Sequence, residues 1–174
     1  LGKPLIDLIG PKRYVEHQGM LDAGVPHGLR YYWKSHYLPA LRDAAIDMLI
    51  ENAWAAPSPQ SYTIMFHLGG AIRRRSPADS AFEDRTAEHA LNIDAVWSDP
   101  ETDAAQIAWT RRMFEAMQPF ATGVYVNFLG EEGEERVRAA YGPEKYERLA
   151  RIKAKYDPEN FLRLNQNIRP SGNG

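Results

Sequence analysis

The chain has 174 residues, 44% of them hydrophobic and 25% charged, enough for one domain with a core of its own. A net charge of −2 and a pI near 6.2 leave no electrostatic footprint for nucleic acid or an anionic membrane. With no cysteine, the chain has no disulfide, no thiolate nucleophile or metal ligand, and no cysteinyl link to a cofactor.

No apolar run approaches the roughly 20 residues of a membrane span, and no basic segment leads into an apolar signal-like stretch. A reducing, cytoplasmic setting is the expectation. The chain begins at Leu1 rather than Met, as a fragment or processed product would. Its first ten residues read as a connector.

Leu29, Tyr31 and Trp33 alternate with Arg30, Tyr32 and Lys34, the period of a half-buried strand. Pro39 opens a predicted helix in which Leu41, Ala44, Ala45, Met48 and Leu49 form one apolar stripe, stopped by Pro57-Ser-Pro59. A second strand is expected over 61–68, with Tyr62, Ile64, Phe66 and Leu68 on one face and Ser61, Thr63, Met65 and His67 on the other. Gly69-Gly70 ends or bends it. Arg73-Arg74-Arg75 and the stretch to Ser80 read as an exposed loop. A third strand spans about His89 to Trp97, with Leu91, Ile93, Ala95 and Trp97 on one face and Asn92 and Asp94 on the other.

Ser98-Asp-Pro-Glu101 has capping-box spacing with a proline inside, the start of a helix that ends near Pro119. A fourth strand is expected over about Thr122 to Phe128, with Tyr125 and Asn127 opposite Val124, Val126 and Phe128. Two short helices follow, near Glu134 to Tyr141 and Pro143 to Tyr156. In the second, Tyr146, Leu149, Ala150 and Tyr156 form the stripe. The run from Glu131 to Glu135 reads as a solvated helix start, and Phe161 as a core anchor. The order predicts an α+β fold, an antiparallel sheet with helices packed on one face, in a single domain over 1–174.

The helices should cover the sheet face rich in Val, Ile, Leu and Trp. The other face then presents His67, Asn92, Asp94, Tyr125 and Asn127, side chains suited to directional hydrogen bonds. It is either a wet sheet face or a ligand-facing surface. The five histidines show no metal-ligand spacing, so no metal site is expected. No GxGxxG, P-loop or GxSxG is present.

Several motifs together are similar to the berberine-bridge-enzyme-like FAD-linked oxidoreductases: the strand Gly28 to Ser35, the Gly69-Gly70 turn, Ile93-Asp94-Ala-Val-Trp97, Tyr125-Val-Asn127 followed by Phe128, and the closing run Tyr156-Asp-Pro-Glu-Asn-Phe161-Leu-Arg-Leu-Asn165-Gln-Asn167-Ile-Arg-Pro170. The resemblance covers about residues 11–170, and its most specific segment is about 122–170. Where that family has Phe-x-His-Arg, this chain has Phe82-Glu-Asp84-Arg85.

The resemblance implies the C-terminal, substrate-binding part of a larger flavoenzyme whose N-terminal FAD-binding domain is absent from this chain and is its expected partner. It implies FAD as cofactor and an alcohol, carbohydrate or amine as the small-molecule substrate. Tyr125 and Asp94 are the implied catalytic pair; Tyr125, Asn127, Asn165 and Asn167 would bind the cofactor, and Asn92 and His67 the substrate.

Free tyrosine, with a pKa of about 10, is a poor base at neutral pH unless a neighbour stabilises its anion. An ionised Asp94 beside it would raise that pKa further. Either member of the pair can therefore be the base. The alternative is a flavin-free α+β module whose open sheet face binds a ligand or self-associates.

Overall fold

The computed structural model describes residues 3, 7–130 and 132–172. Most of the expected connector at 1–6, and Glu131 of the acidic run, lie outside the described residues. In chain order the elements are α1 (Tyr14–Gln18), β1 (Arg30–Leu38), α2 (Asp43–Trp54), β2 (Tyr62–His67), α3 (Ala71–Arg74), β3 (His89–Trp97), α4 (Asp103–Met117), α5 (Glu134–Tyr141) and α6 (Pro143–Tyr156), joined by short 3-10 turns. None of these helices is long and apolar enough to cross a membrane.

The sheet has three antiparallel strands in the order β1-β3-β2. β3 is central and nearly all buried. One face carries Leu91, Ile93, Ala95 and Trp97 of β3 and Leu38 of β1, packed with Trp109, Met113 and Met117 of α4 and Ala45 of α2. The Trp109 indole N–H donates to the Asn52 carbonyl of α2 at 2.8 Å, which ties the two helices together over the sheet. This is the expected α+β arrangement, with helices on one face.

Several sequence expectations are corrected. The fourth strand does not form. The chain makes a single bridge, with Tyr37 N–H donating to Gly123 O at 2.7 Å and Thr122 N–H to Tyr37 O at 2.9 Å, then turns into a 3-10 segment over Val126–Phe128. The ring of Tyr125 packs against Tyr37, Phe82 and Phe128, which draws the backbone out of extended pairing.

The expected facing of the outer strands also changes. Opposed residues in an antiparallel pair project from the same face. Trp33 and Tyr62 both oppose Asp94, and Ser35 and Ile64 both oppose Asn92. Tyr31, Trp33, Tyr62, Ile64 and Phe66 therefore share the face away from the helices, while Met65 and His67 lie on the helix face. The α2 helix starts at Asp43 rather than Pro39, because Arg42 still has extended backbone, and Leu41 remains outside the helix and exposed.

Finally, Phe161 is 84% exposed and Tyr156 is 74% exposed, so neither anchors the core. Glu132 is the reverse case. Its carboxylate is drawn in between Lys34 Nζ at 3.0 Å and Arg136 Nε at 3.2 Å instead of being solvated. Arg73, expected in an open loop, pairs with Glu88 at 3.1 Å and lies at the end of short helix α3.

Asp84 explains how the segment before β3 is pinned to the segment before Tyr125. Its carboxylate accepts from Thr86 N–H and Thr86 Oγ1, both at 2.8 Å, from Ala87 N–H at 2.9 Å, and from Thr122 Oγ1 at 2.8 Å. Burial pushes its pKa up, but these hydrogen bonds outweigh burial and hold it below the ordinary value. Asp84→Ala is expected to cost about 2–4 kcal/mol in urea unfolding at pH 7. Because the folded pKa is depressed, the stabilisation is full above the unfolded value near 4 and is lost as pH falls through the folded one. The gap between wild type and variant should therefore close below about pH 4.

Candidate functional site

The face of the sheet opposite α2 and α4 holds two groups of polar side chains. The first is centred on Asp94. Asn92, two residues away on β3 and so on the same face, donates through Nδ2 to both carboxylate oxygens, at 2.9 and 2.8 Å. Asp94 is only 9% exposed, and the arginines at 73–75 do not pair with it. Trp33 and Tyr62 stand opposite it on the two neighbouring strands. Burial pushes the Asp94 carboxyl up to about 7, against the opposing pull of the Asn92 hydrogen bond. The same carboxyl helps burial raise the Tyr62 phenol. An acid that changes charge near neutrality, in a hydrogen-bonded cluster on a sheet face, is what general acid–base chemistry requires.

The second group is Tyr125 with Asn127. The Asn127 amide donates to the Tyr125 hydroxyl oxygen at 2.7 Å. That donation leaves the phenol's own proton free for a ligand. Tyr125 is held by Tyr37, Phe82 and Phe128, and Phe128 in turn packs on Phe66. Tyr37 opposes Ala90, four residues from Asp94 on the same face of β3. At the rise of a strand this separates the two groups by about 13 Å. They lie on one side of the sheet without touching, so a ligand bridging them would need the length of a ring system.

Of the other expected site residues, His67 is not on this face. It opposes His89 at the end of the sheet, on the helix side, with ring centroids 5.4 Å apart. The shift follows from the register: His67 has the parity of Met65, which faces the core. Asn165 is exposed with a left-handed backbone, φ 58°. Asn167 lines a separate groove beside α6 with Ala154, Pro158, Asn160 and Arg163. Gln166 Nε2 anchors this closing run by donating to Leu129 O at 2.6 Å, and Ile168 joins the cluster of Val124, Leu129, Val137 and Tyr146.

Sequence reasoning missed Trp33 and Tyr62 as site residues. Their period-two pattern was visible, but only the pairing register places them beside Asp94 and Asn92. Among the described residues, no group of three or more His, Asp and Glu side chains is arranged to hold a metal ion.

With this architecture in view, comparison with known proteins defines the class. Residues 124–169 match the family model for berberine and berberine like. The chain is 29% identical to an FAD-linked oxidoreductase of Dictyostelium discoideum over 174 residues, 99% of this chain and 38% of that protein. It is 32% identical over 130 residues to the uncharacterized FAD-linked oxidoreductase YgaK of Bacillus subtilis (strain 168), 75% of this chain and 29% of that protein. The fold is similar to that of berberine bridge enzyme from Eschscholzia californica, with a TM-score of 0.71 at 22% identity, covering 83% of this chain and 34% of that one. The chain thus resembles the berberine-bridge-enzyme-like FAD-linked oxidoreductases, and it spans well under half the length of the curated FAD-linked oxidoreductases it matches.

Proposed function

We propose that this chain is the substrate-side part of an FAD-dependent oxidoreductase, with the open sheet face turned toward the flavin and Asp94 as the group that takes up the substrate's proton. The observation that carries the reading is Asp94 itself, a nearly buried carboxyl titrating near 7 on the face the helices leave uncovered. FAD, when bound, supplies the acceptor for the hydride of an alcohol, carbohydrate or amine substrate.

The residues present fit the polar edge of a flavin ring. Asn92 Oδ1, on this face, is an acceptor with no partner among the described residues, suited to a ring N–H group. Tyr125 can donate its phenol proton while Asn127 holds its oxygen. Nothing in the chain has the Gly-rich pattern that cradles a dinucleotide diphosphate, so that role falls to an FAD-binding domain elsewhere in a longer protein. The exposed Tyr156, Phe161, Leu162 and Leu164 support a further domain as the partner of this surface. The same apolar strip favours the second reading, a self-associating module without flavin.

The test is flavin-fluorescence quenching by the longer protein and by its Tyr125→Phe/Asn127→Ala variant. The reading predicts saturable FAD binding by the first, weakened at least tenfold in the variant. Equal binding by both would remove Tyr125 and Asn127 from the cofactor site. No FAD binding by either, together with dimerisation, would favour the self-associating module.

A further inference from the structure

Among the described residues one side chain donates a hydrogen bond to Asp94, and that is Asn92. Opposed residues share a face, so the groups that face Asp94 from the neighbouring strands are Tyr31 and Trp33 of β1 and Tyr62 of β2. Of these, the two phenols can titrate, and a phenol is uncharged at neutral pH. Arg30 and Lys34 oppose Trp97 and Ile93, on the helix side, where they pair with Asp103 and Glu132. Helices α2 and α4 lie on that side too. No cation stands against Asp94; burial and Asn92 set its charge.

The geometry of that one contact is specific. Asn92 precedes Asp94 by two residues on the central strand, about 7 Å along it, and pairing on both sides fixes the spacing. Nδ2 lies 2.9 Å from one carboxylate oxygen and 2.8 Å from the other. Near-equal distances put the nitrogen between the two oxygens, so the carboxylate can neither swing away nor favour one of them. The amide's orientation is forced as well. An ionised carboxyl offers lone pairs alone, and Oδ1 turned toward it would meet them repulsively. Without Nδ2, the negative charge would be nearly buried with no protein donor, the costliest way to hold it.

We infer that Asn92 is a positioning residue, whose Nδ2 fixes the Asp94 carboxylate in place and in its charged form and so keeps it able to accept a proton at neutral pH. This rests on the proposed role of Asp94 as the group that takes up the substrate's proton, and it gives the Asn92 amide nitrogen a task other than binding substrate. The sign follows from the donor. Nδ2 stabilises the carboxylate and has nothing to offer the O–H of the neutral acid. Its loss leaves Asp94 protonated at pH 7, where it is no base.

The experiment is carboxyl-carbon NMR of the full-length FAD-loaded protein, grown with aspartate labelled at its side-chain carboxyl and titrated across the pH range. The Asp94 signal is the one missing from Asp94→Asn. Wild type should titrate near 7. Asn92→Leu keeps the volume and removes the donor, so its midpoint should rise by about one unit. The rising limb of kcat/KM against pH should move with it, a loss of about fivefold at pH 7. Asn92→Asp replaces the donor by a second carboxyl, and the pair should titrate in two steps, the upper one above the wild-type midpoint. It gives a second reading if Asn92→Leu does not fold. A lesion of packing alone would lower the melting temperature and leave the midpoint where it was. A wild-type midpoint near 7 that stays put in both variants would overturn the inference and leave Asp94 as the base. A wild-type midpoint near 4 that rises in Asn92→Leu would do the reverse, sustaining the hold of Asn92 and removing Asp94 as a base poised at neutrality.

Discussion

Asp94→Asn is expected to lower turnover of the complete FAD-loaded protein by about 10²–10⁴-fold while leaving bound flavin and fold intact, since a positioned acid–base group contributes on that order. The amide keeps the shape of the carboxyl and can still accept from Asn92, but it cannot take a proton. In wild type kcat/KM should rise with pH through about 7, where the Asp94 carboxyl ionises, and the variant should lack that limb.

The same substitution should move stability the other way. A carboxyl whose folded pKa is raised binds its proton more tightly in the native state. Wild-type stability therefore falls as pH rises from about 4 toward 7, then levels off. Asp94→Asn, freed of that burden, should be more stable than wild type by about 1–3 kcal/mol at pH 8 and no different at pH 4. Urea unfolding at the two pH values checks this. A variant less stable at pH 8 would mean that Asp94 is ionised at little cost and is no poised base.

The largest loss of stability is expected at Trp109→Ala. Trp109 is 1% exposed, lies between α2 and the sheet among Leu38, Ile93 and Met113, and donates its indole N–H to Asn52 O. Truncation opens a cavity at the centre of the core and removes the indole hydrogen bond to Asn52 O, which keeps its bond from Ala55 N–H, together about 3–5 kcal/mol. Trp109→Phe keeps most of the volume but loses the hydrogen bond, so it should cost clearly less. If both variants unfold at the wild-type urea midpoint, the α2–α4–sheet packing does not hold the domain together.

Why some of this was legible in the sequence and some was not follows from the kind of interaction involved. Helices α5 and α6 were readable because their signals are local: a glycine before each, a proline at the start of α6, and a stripe of Tyr146 and Ala150. β3 was readable because its core face is so apolar. The outer strands were harder. Tyr31, Trp33, Tyr62 and Ile64 look like core residues by type, yet pairing to β3 puts them on the polar face, and no local pattern encodes which face a neighbour's register selects. His67 was misplaced for the same reason. The stretch from Thr122 to Phe128 alternates like a strand, but a cluster of four aromatic rings turns it instead.

Asp94 and Asn92 were picked out from sequence as polar residues in an apolar strand, whereas the hold of the Asn92 amide on both Asp94 oxygens could be found only once the side chains were placed. The position where the family resemblance breaks, Asp84, also has a physical reason to be acidic: four donors converge on it.

The most direct test of the central claim, that Asp94 faces the flavin and titrates near neutrality, needs no substrate. It is the absorption spectrum of the bound flavin, recorded from pH 5 to pH 9 in wild type and in Asp94→Asn. The account predicts a spectral shift with a midpoint near 7 in wild type that is missing from the variant. A flavin spectrum with the same pH dependence in both proteins would contradict it.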